Sequence, residues 1–464
     1  MVDMNSTPSL FPTHQTRMGM HYFPDTLHYC DNDLQTWLPE LTALGISWLV
    51  LKTSIDRAIP ENFIQGLVKA GIEPLIEFNL PLVNPPDPTD LQSLLAAYAH
   101  WGVHGVIFFD RPNTRAAWSA SGWAQQGLID RFLDRFLPFA NLAMQLNLIP
   151  IFPPLEPGGS YWDTAFLRSS LESLVRRHEV QLIQKLVISA YAWTGNHPLN
   201  WGAGGPSRWP GARPYFTASD NQDQRGFRIY DWYSAIAQAV LQQNPPIIML
   251  EAGSKFDPKQ SDISLFSPQS YSDTALTIAR LLAGEQVSDP YDAATQLEPL
   301  PQQIISSNFW LLSADPASPQ AAWGWYQNDQ PSLPIVENLK KYIAQPTPAK
   351  PVAPPPEIPM RKDVPAASSP APQLPHPIQH YLLLPTSEWI APDWHMGIIQ
   401  PLIKKYHPTI GFSLQEAALA SKVTIIAAPQ NIPEAVLQRL QNAGCQVEQI
   451  NSDGTTIATK LSER

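Results

Sequence analysis

Glu251 closes the apolar run Ile247-Ile-Met-Leu and opens onto Ala-Gly-Ser, so a carboxylate stands where a buried strand gives way to a loop. Asp110 ends Gly-Val-Ile-Phe-Phe in the same manner and is followed by Arg111-Pro-Asn113, and Glu156 lies just past Ile-Pro-Ile-Phe152. Two carboxyl groups facing one cleft can pass a proton to a leaving oxygen and stabilise the cation left behind. Other apolar runs end in His21 and Tyr22, Lys52, Glu77 and Asn79, Tyr191 and Trp193, and Asn308 and Trp310. Carboxylates and amides bond hydroxyls while aromatic faces stack on C–H surfaces, so this set suits a polyhydroxylated ring. A plainer reading stands beside it. Glu251 could pair with Lys52 or Arg111 as a structural bridge, Asp110 and Arg111 could lock their own loop, and His21, Trp193 and Trp310 could be core.

Only a scaffold that brings the ends of distant strands together makes these residues one site. From residue 18 onward short apolar runs alternate with longer amphipathic ones, the pattern of βα units and a parallel sheet. The spacing predicts eight strands, at 19–23, 48–52, 73–78, 105–110, 149–152, 185–190, 247–251 and 308–312. Helices are predicted at 33–44, 61–70, 91–101, 128–146, 164–177, 230–242, 273–282 and 333–344. Leu34, Leu38, Leu41 and Leu44 show the helical period, and Gly45, Gly71 and Gly102 stand where a left-handed stop is wanted. Eight such units predict a (β/α)8 TIM barrel over 18–345, whose sites lie at the carboxyl ends of the strands. A glycine-rich, aromatic insertion at 194–227 is expected to act as a mobile lid, and 256–272 forms a second insertion.

Residues 1–17 read as an N-terminal extension. In 346–377, 12 of 32 residues are proline, the composition of an extended, protease-sensitive linker. Residues 378–464 return to strand and helix patterns and are expected to form a small α/β accessory domain. The formal charge of -11 and the lack of a basic cluster disfavour a nucleic-acid partner. Cys30 and Cys445 offer no disulfide framework. No metal and no cofactor are expected. Neither a secretory signal nor an apolar run of about 18 residues is legible, so a cytoplasmic location is expected, with the cell surface left open.

The order of these strand ends resembles the clan A glycoside hydrolases, retaining barrel enzymes with an acid/base glutamate after strand four and a nucleophilic glutamate after strand seven. The resemblance implies Glu251 as nucleophile, Tyr191 as the tyrosine that orients it, and Trp310 as a sugar platform. The strand-four motif of that clan is Asn-Glu-Pro, whereas this chain has Asp110-Arg111-Pro112. Arginine has no proton to give at working pH. Three readings follow. The first is a carbohydrate-binding barrel for an oligo- or polysaccharide, with weak or lost hydrolysis, in which His21, Lys52, Asn79, Arg111, Asn113, Tyr191, Trp193 and Trp310 contact substrate. The second is an active retaining glycosidase with Asp110 or Glu156 as the acid. The third is a structural or adaptor protein. The segment Lys422-Val-Thr-Ile-Ile-Ala-Ala-Pro is similar to the cell-wall-binding repeats of bacterial surface proteins, which implies a cell-surface or protein partner for the last domain.

Overall fold

The computed structural model describes residues 10–195, 197–254, 267–345, 378–383, 406, 408–411, 414–426 and 434–450. Contacts divide the chain into two compact units, one of residues 1–123 and 127–344, the other of 124–126 and 345–464.

The first unit is a closed barrel of eight parallel strands. They are β1 (Met18–His21), β2 (Trp48–Lys52), β3 (Glu73–Glu77), β4 (Gly105–Ile107), β5 (Ile149–Phe152), β6 (Val187–Trp193), β7 (Ile247–Gly253) and β8 (Ile304–Phe309). Each strand pairs with its sequence neighbour and β8 closes on β1, so every strand is covered on both sides by backbone partners. The barrel helices are α1 (Asp31–Ala43), α2 (Glu61–Lys69), α3 (Gln92–His100), α4 (Leu128–Gln145), α5 (Asp163–Arg176), α6 (Ile229–Leu241), α7 (Pro268–Leu282) and α8 (Pro334–Ile343). The expected TIM barrel is therefore the architecture found, with most boundaries displaced by one or two residues.

Strand eight departs further, because it runs through Ser306, Ser307 and Asn308 and ends before the apolar Trp310-Leu-Leu. Asn308 is fully buried and donates to the Met249 carbonyl and to Ser306 Oγ, which satisfies both its amide N–H groups inside the barrel wall while Oδ1 has no partner. A Cβ on Gly19 would lie 2.0 Å from Asn308 Oδ1, so the neighbouring strand admits this polar side chain only because it lacks one there.

Alternation along the strands sends one set of side chains into the bore and the other toward the helices. Trp48, Val50, Leu75, Ile107, Ile149, Ile151, Val187, Tyr191, Ile248 and Leu250 form the inner cluster. Phe11 joins it and meets Trp48 edge-on at 5.2 Å. Residues 10–17 thus close the lower end of the barrel instead of trailing from it. Arg17 anchors that segment by donating to the carbonyls of Leu282, Leu300, Pro301 and Ile304.

The insertion after β6 is also built in. Gln224 Nε2 donates to buried Asp163 at 2.6 Å, Trp232 Nε1 to the Gly202 carbonyl at 2.9 Å, and Trp209 Nε1 to the Ala203 carbonyl at 2.9 Å. Gly202 has φ +72°, and a Cβ there would lie 2.3 Å from the Asp223 carbonyl oxygen, so glycine serves a tight approach rather than mobility. The described insertion is consequently packed structure tied to the barrel by side-chain hydrogen bonds. The insertion at 256–272 lies largely outside the described residues.

The second unit is a four-stranded parallel sheet of β9 (Ile378–Leu383), β10 (Thr409–Gly411), β11 (Ala420–Ile426) and β12 (Gln446–Ile450), in the order β10-β9-β11-β12. Helix α9 (Leu414–Ala417) and helix α10 (Glu434–Asn442) connect it, and Tyr381, Leu383, Val423, Ile425 and Leu440 form its core. The proline-rich stretch lies outside the described residues. No described helix is long and apolar enough to cross a membrane.

Candidate functional site

Three strand ends at the upper mouth carry non-glycine residues in the left-handed region: Asn79 at φ 49°, Arg111 at φ 44° and Glu251 at φ 48°. Such conformations cost of order 1–3 kcal/mol each and persist where the surroundings enforce them, most often at functional sites. In Glu251 the turn falls inside β7, and its backbone N–H donates to His21 Nε2 at 3.2 Å. Burial, then the charges of Lys52 and Arg111, push the His21 pKa well below the usual histidine range. The ring is therefore neutral, and because Nε2 accepts, Nδ1 carries the hydrogen.

Arg111 lies at the centre of the site. Its Nε donates to Glu156 Oε2 at 2.7 Å, its Nη1 to Asp110 Oδ2 at 2.7 Å, and its Nη2 stands 3.6 Å from Glu251 Oε2. The guanidinium carbon sits 4.0 Å above the centre of the Tyr191 ring. Burial would lower the arginine pKa, but Tyr191 and the carboxylates of Asp110, Glu251 and Glu156 outweigh it and raise the value further. Tyr191 donates to Asp110 Oδ1 at 2.6 Å, and burial, followed by the charges of Asp110 and Glu251, lifts its pKa well above the phenol range. Each oxygen of Asp110 thus accepts from one donor, and Tyr191 stays a phenol.

The aromatic wall comes from β6 and the segment after β8. Trp310, Leu311 and Ala314 form a small buried cluster with Trp193 and Trp323 packed against it. Tyr271 donates to the Trp310 carbonyl at 2.6 Å and receives Trp325 Nε1 at 2.6 Å, so the backbone that carries Trp310 is held from behind. His21 meets Trp310 edge-on at 5.0 Å, and Lys52 Nζ lies 5.9 Å from its ring centre.

The structure brings His21, Lys52, Asp110, Arg111, Glu156, Tyr191, Glu251 and Trp310 into one network and sets Trp193 beside it. One expected substrate contact differs. Asn113 is fully buried: its amide donates to the carbonyls of Glu156 and Tyr161, and its Oδ1 accepts from the Glu156 N–H at 2.8 Å. It positions the loop that carries Glu156 and has no N–H left for a ligand. Asn79 is exposed at the end of β3. Glu77, one of the polar strand ends of the sequence, also belongs to the site. It is 4% exposed with Oε2 unpartnered, and two-residue alternation from Leu75 would have placed it in the bore. Among the described residues no three His, Cys, Asp or Glu side chains are grouped to hold a metal ion.

No family model and no curated protein sequence matches this chain. Among solved structures, the chain is similar to a family 39 glycoside hydrolase from Bacteroides cellulosilyticus WH2 at 12% identity and TM-score 0.45, with 70% of this chain and 62% of that one covered. A family 39 β-xylosidase from Caulobacter crescentus follows at 11% identity and TM-score 0.45, covering 72% of each chain. Saccharomyces cerevisiae Gas2p, in complex with laminaritetraose and laminaripentaose, aligns at 11% identity and TM-score 0.39 over 70% of this chain and 63% of that one. This chain thus spans less than two thirds of the length of the first of these glycoside hydrolases.

Proposed function

We propose that the upper mouth of the barrel binds an oligo- or polysaccharide, and that ordinary glycosides are hydrolysed weakly there because Arg111 closes the retaining route through strand four. The observation that carries this reading is the single guanidinium that engages Asp110, Glu156 and Glu251 together. A guanidinium only donates, so the carboxyl oxygens it meets accept from it, and position 111 itself supplies no transferable proton. Tryptophan faces beside carboxylates and a neutral histidine supply the stacking and hydroxyl contacts that a sugar ring needs.

Calorimetric titration of the full chain with cello-, xylo- and laminari-oligosaccharides tests the reading. Binding that Glu251→Gln weakens about tenfold or more is the expected result, being the loss of roughly one charge-assisted hydrogen bond. Rapid wild-type cleavage with retention of configuration, abolished by Asp110→Asn or Glu156→Gln, would instead establish an ordinary retaining glycosidase. For the second unit we propose an accessory role toward a cell-surface or protein partner, on the strength of its sequence resemblance. Sedimentation of the chain with bacterial cell walls, compared with a chain ending at residue 345, measures it directly.

A further inference from the structure

The four carboxyl groups of the mouth differ in what they touch. Asp110, Glu156 and Glu251 all meet Arg111. Glu77 stands apart from that network. It ends β3, paired in register with Lys52 on one side and Ile107 on the other, and its Oε2 has no hydrogen-bond partner. Leu75, two residues earlier, belongs to the cluster inside the bore, so the strand's alternation turns Glu77 inward at the top of the same column. At 4% and 8% exposure, Glu77 and Glu251 are both nearly sealed from bulk solvent. Burial, with the charge of Asp110 adding to it, raises the Glu77 pKa above the usual carboxyl range, while Lys52 and Arg111 oppose the rise. A carboxyl that keeps its proton longer is what a general acid requires.

We propose that Glu77 is the proton donor for a slow, inverting glycoside hydrolysis in which Glu251 activates the attacking water. The proposal rests on the saccharide-binding reading above and assigns the weak activity to a pair on β3 and β7. In the closed order β1-β8-β7-β6-β5-β4-β3-β2 these strands are four steps apart in either direction, which is diametrically opposed. A retaining pair sits on β4 and β7, three steps apart, with carboxyl groups about 5 Å from each other; a pair about 6.5–9.5 Å apart leaves room for a water. The Glu77 proton passes to the glycosidic oxygen as the C1–O bond breaks and its electron pair stays on that oxygen. Water bonds to C1 from the opposite face and gives its proton to Glu251. The leaving group departs as an alcohol, the sugar as the inverted hemiacetal, and solvent returns the proton from Glu251 to Glu77.

The experiment uses the full chain at high concentration with cellotetraose, xylotetraose and laminaritetraose, and proton NMR reads the anomer first released. Slow release of the α-anomer from these β-linked sugars is expected. Glu77→Gln should slow that release about 100-fold or more, yet slow a dinitrophenyl glycoside far less, because that group leaves without a proton. Glu77→Asp provides a second variant should the amide unfold the bore, and a thermal melt reports which has happened. Release of the β-anomer, or equal losses on both kinds of substrate, would overturn the assignment. Binding without any cleavage would overturn it too and leave the saccharide site standing, whereas failure of every saccharide to bind would remove the site itself.

Discussion

At the scale of single residues, Arg111 does more at the mouth than fill the position after strand four. Its single positive charge meets three carboxyl groups at once and stacks on Tyr191, so one side chain organises the mouth. Its backbone already holds φ 44°, a conformation a glutamate would inherit without further loss relative to arginine. Arg111→Glu should therefore raise retaining hydrolysis of an aryl glycoside about 100-fold over wild type, the usual share of general acid catalysis. It should also lower the melting temperature, since five carboxyl groups, Glu77 among them, would then crowd one cleft. Continuous release of the phenol, with the product anomer read by NMR, checks the first point; a rate no higher than wild type would show that position 111 does not aim into the mouth.

At the scale of elements, the insertion after β6 is tied to the barrel in part through a buried carboxylate. Asp163, at the start of α5, accepts from the Gly158 N–H, from Gln224 Nε2 and from the Tyr233 hydroxyl. Burial pushes its pKa up to about 6 although all three donors favour the charged form. A carboxyl with a raised folded-state pKa binds its proton more tightly in the native protein than in the unfolded chain. Its contribution to stability is complete below the unfolded value near 3.8 and is lost as pH rises through about 6. Across that window the wild type should lose on the order of 3 kcal/mol relative to Asp163→Asn. Urea unfolding of both proteins at pH 4 and pH 7 measures the difference, and parallel pH profiles would place the titration elsewhere.

At the scale of the whole molecule, the chain is two compact units whose division falls between Ala344 and Gln345. Twelve prolines among the residues 346–377 deny that stretch the apolar periodicity by which a segment docks on a core. Limited proteolysis should cut there first and yield a resistant fragment ending near residue 344. An initial cut within 194–227 would contradict the packing described for that insertion.

Local patterns were enough to reveal the barrel. Apolar runs of strand length, amphipathic runs of helix length and glycine stops recur with one rhythm, and each is an interaction among residues close in the chain. The same patterns showed that Glu251, Asp110 and Trp310 stand at strand ends, because an apolar run that ends in a polar residue is visible in one dimension. The eighth strand misled, since Ser306, Ser307 and Asn308 look exposed in the sequence, and Asn308 fits only because Gly19, 289 residues away, has no side chain there. Only the closed barrel decided which carboxylates share a guanidinium: Arg111 meets Glu156 from the next strand and Glu251 from three strands on, while Glu77, one strand back, is left out. Sequence spacing carries no information about distances across a bore. That is why the residues of the site could be enumerated from the chain, while their pairing, the neutral state of His21 and the buried service of Asn113 came from the tertiary structure alone.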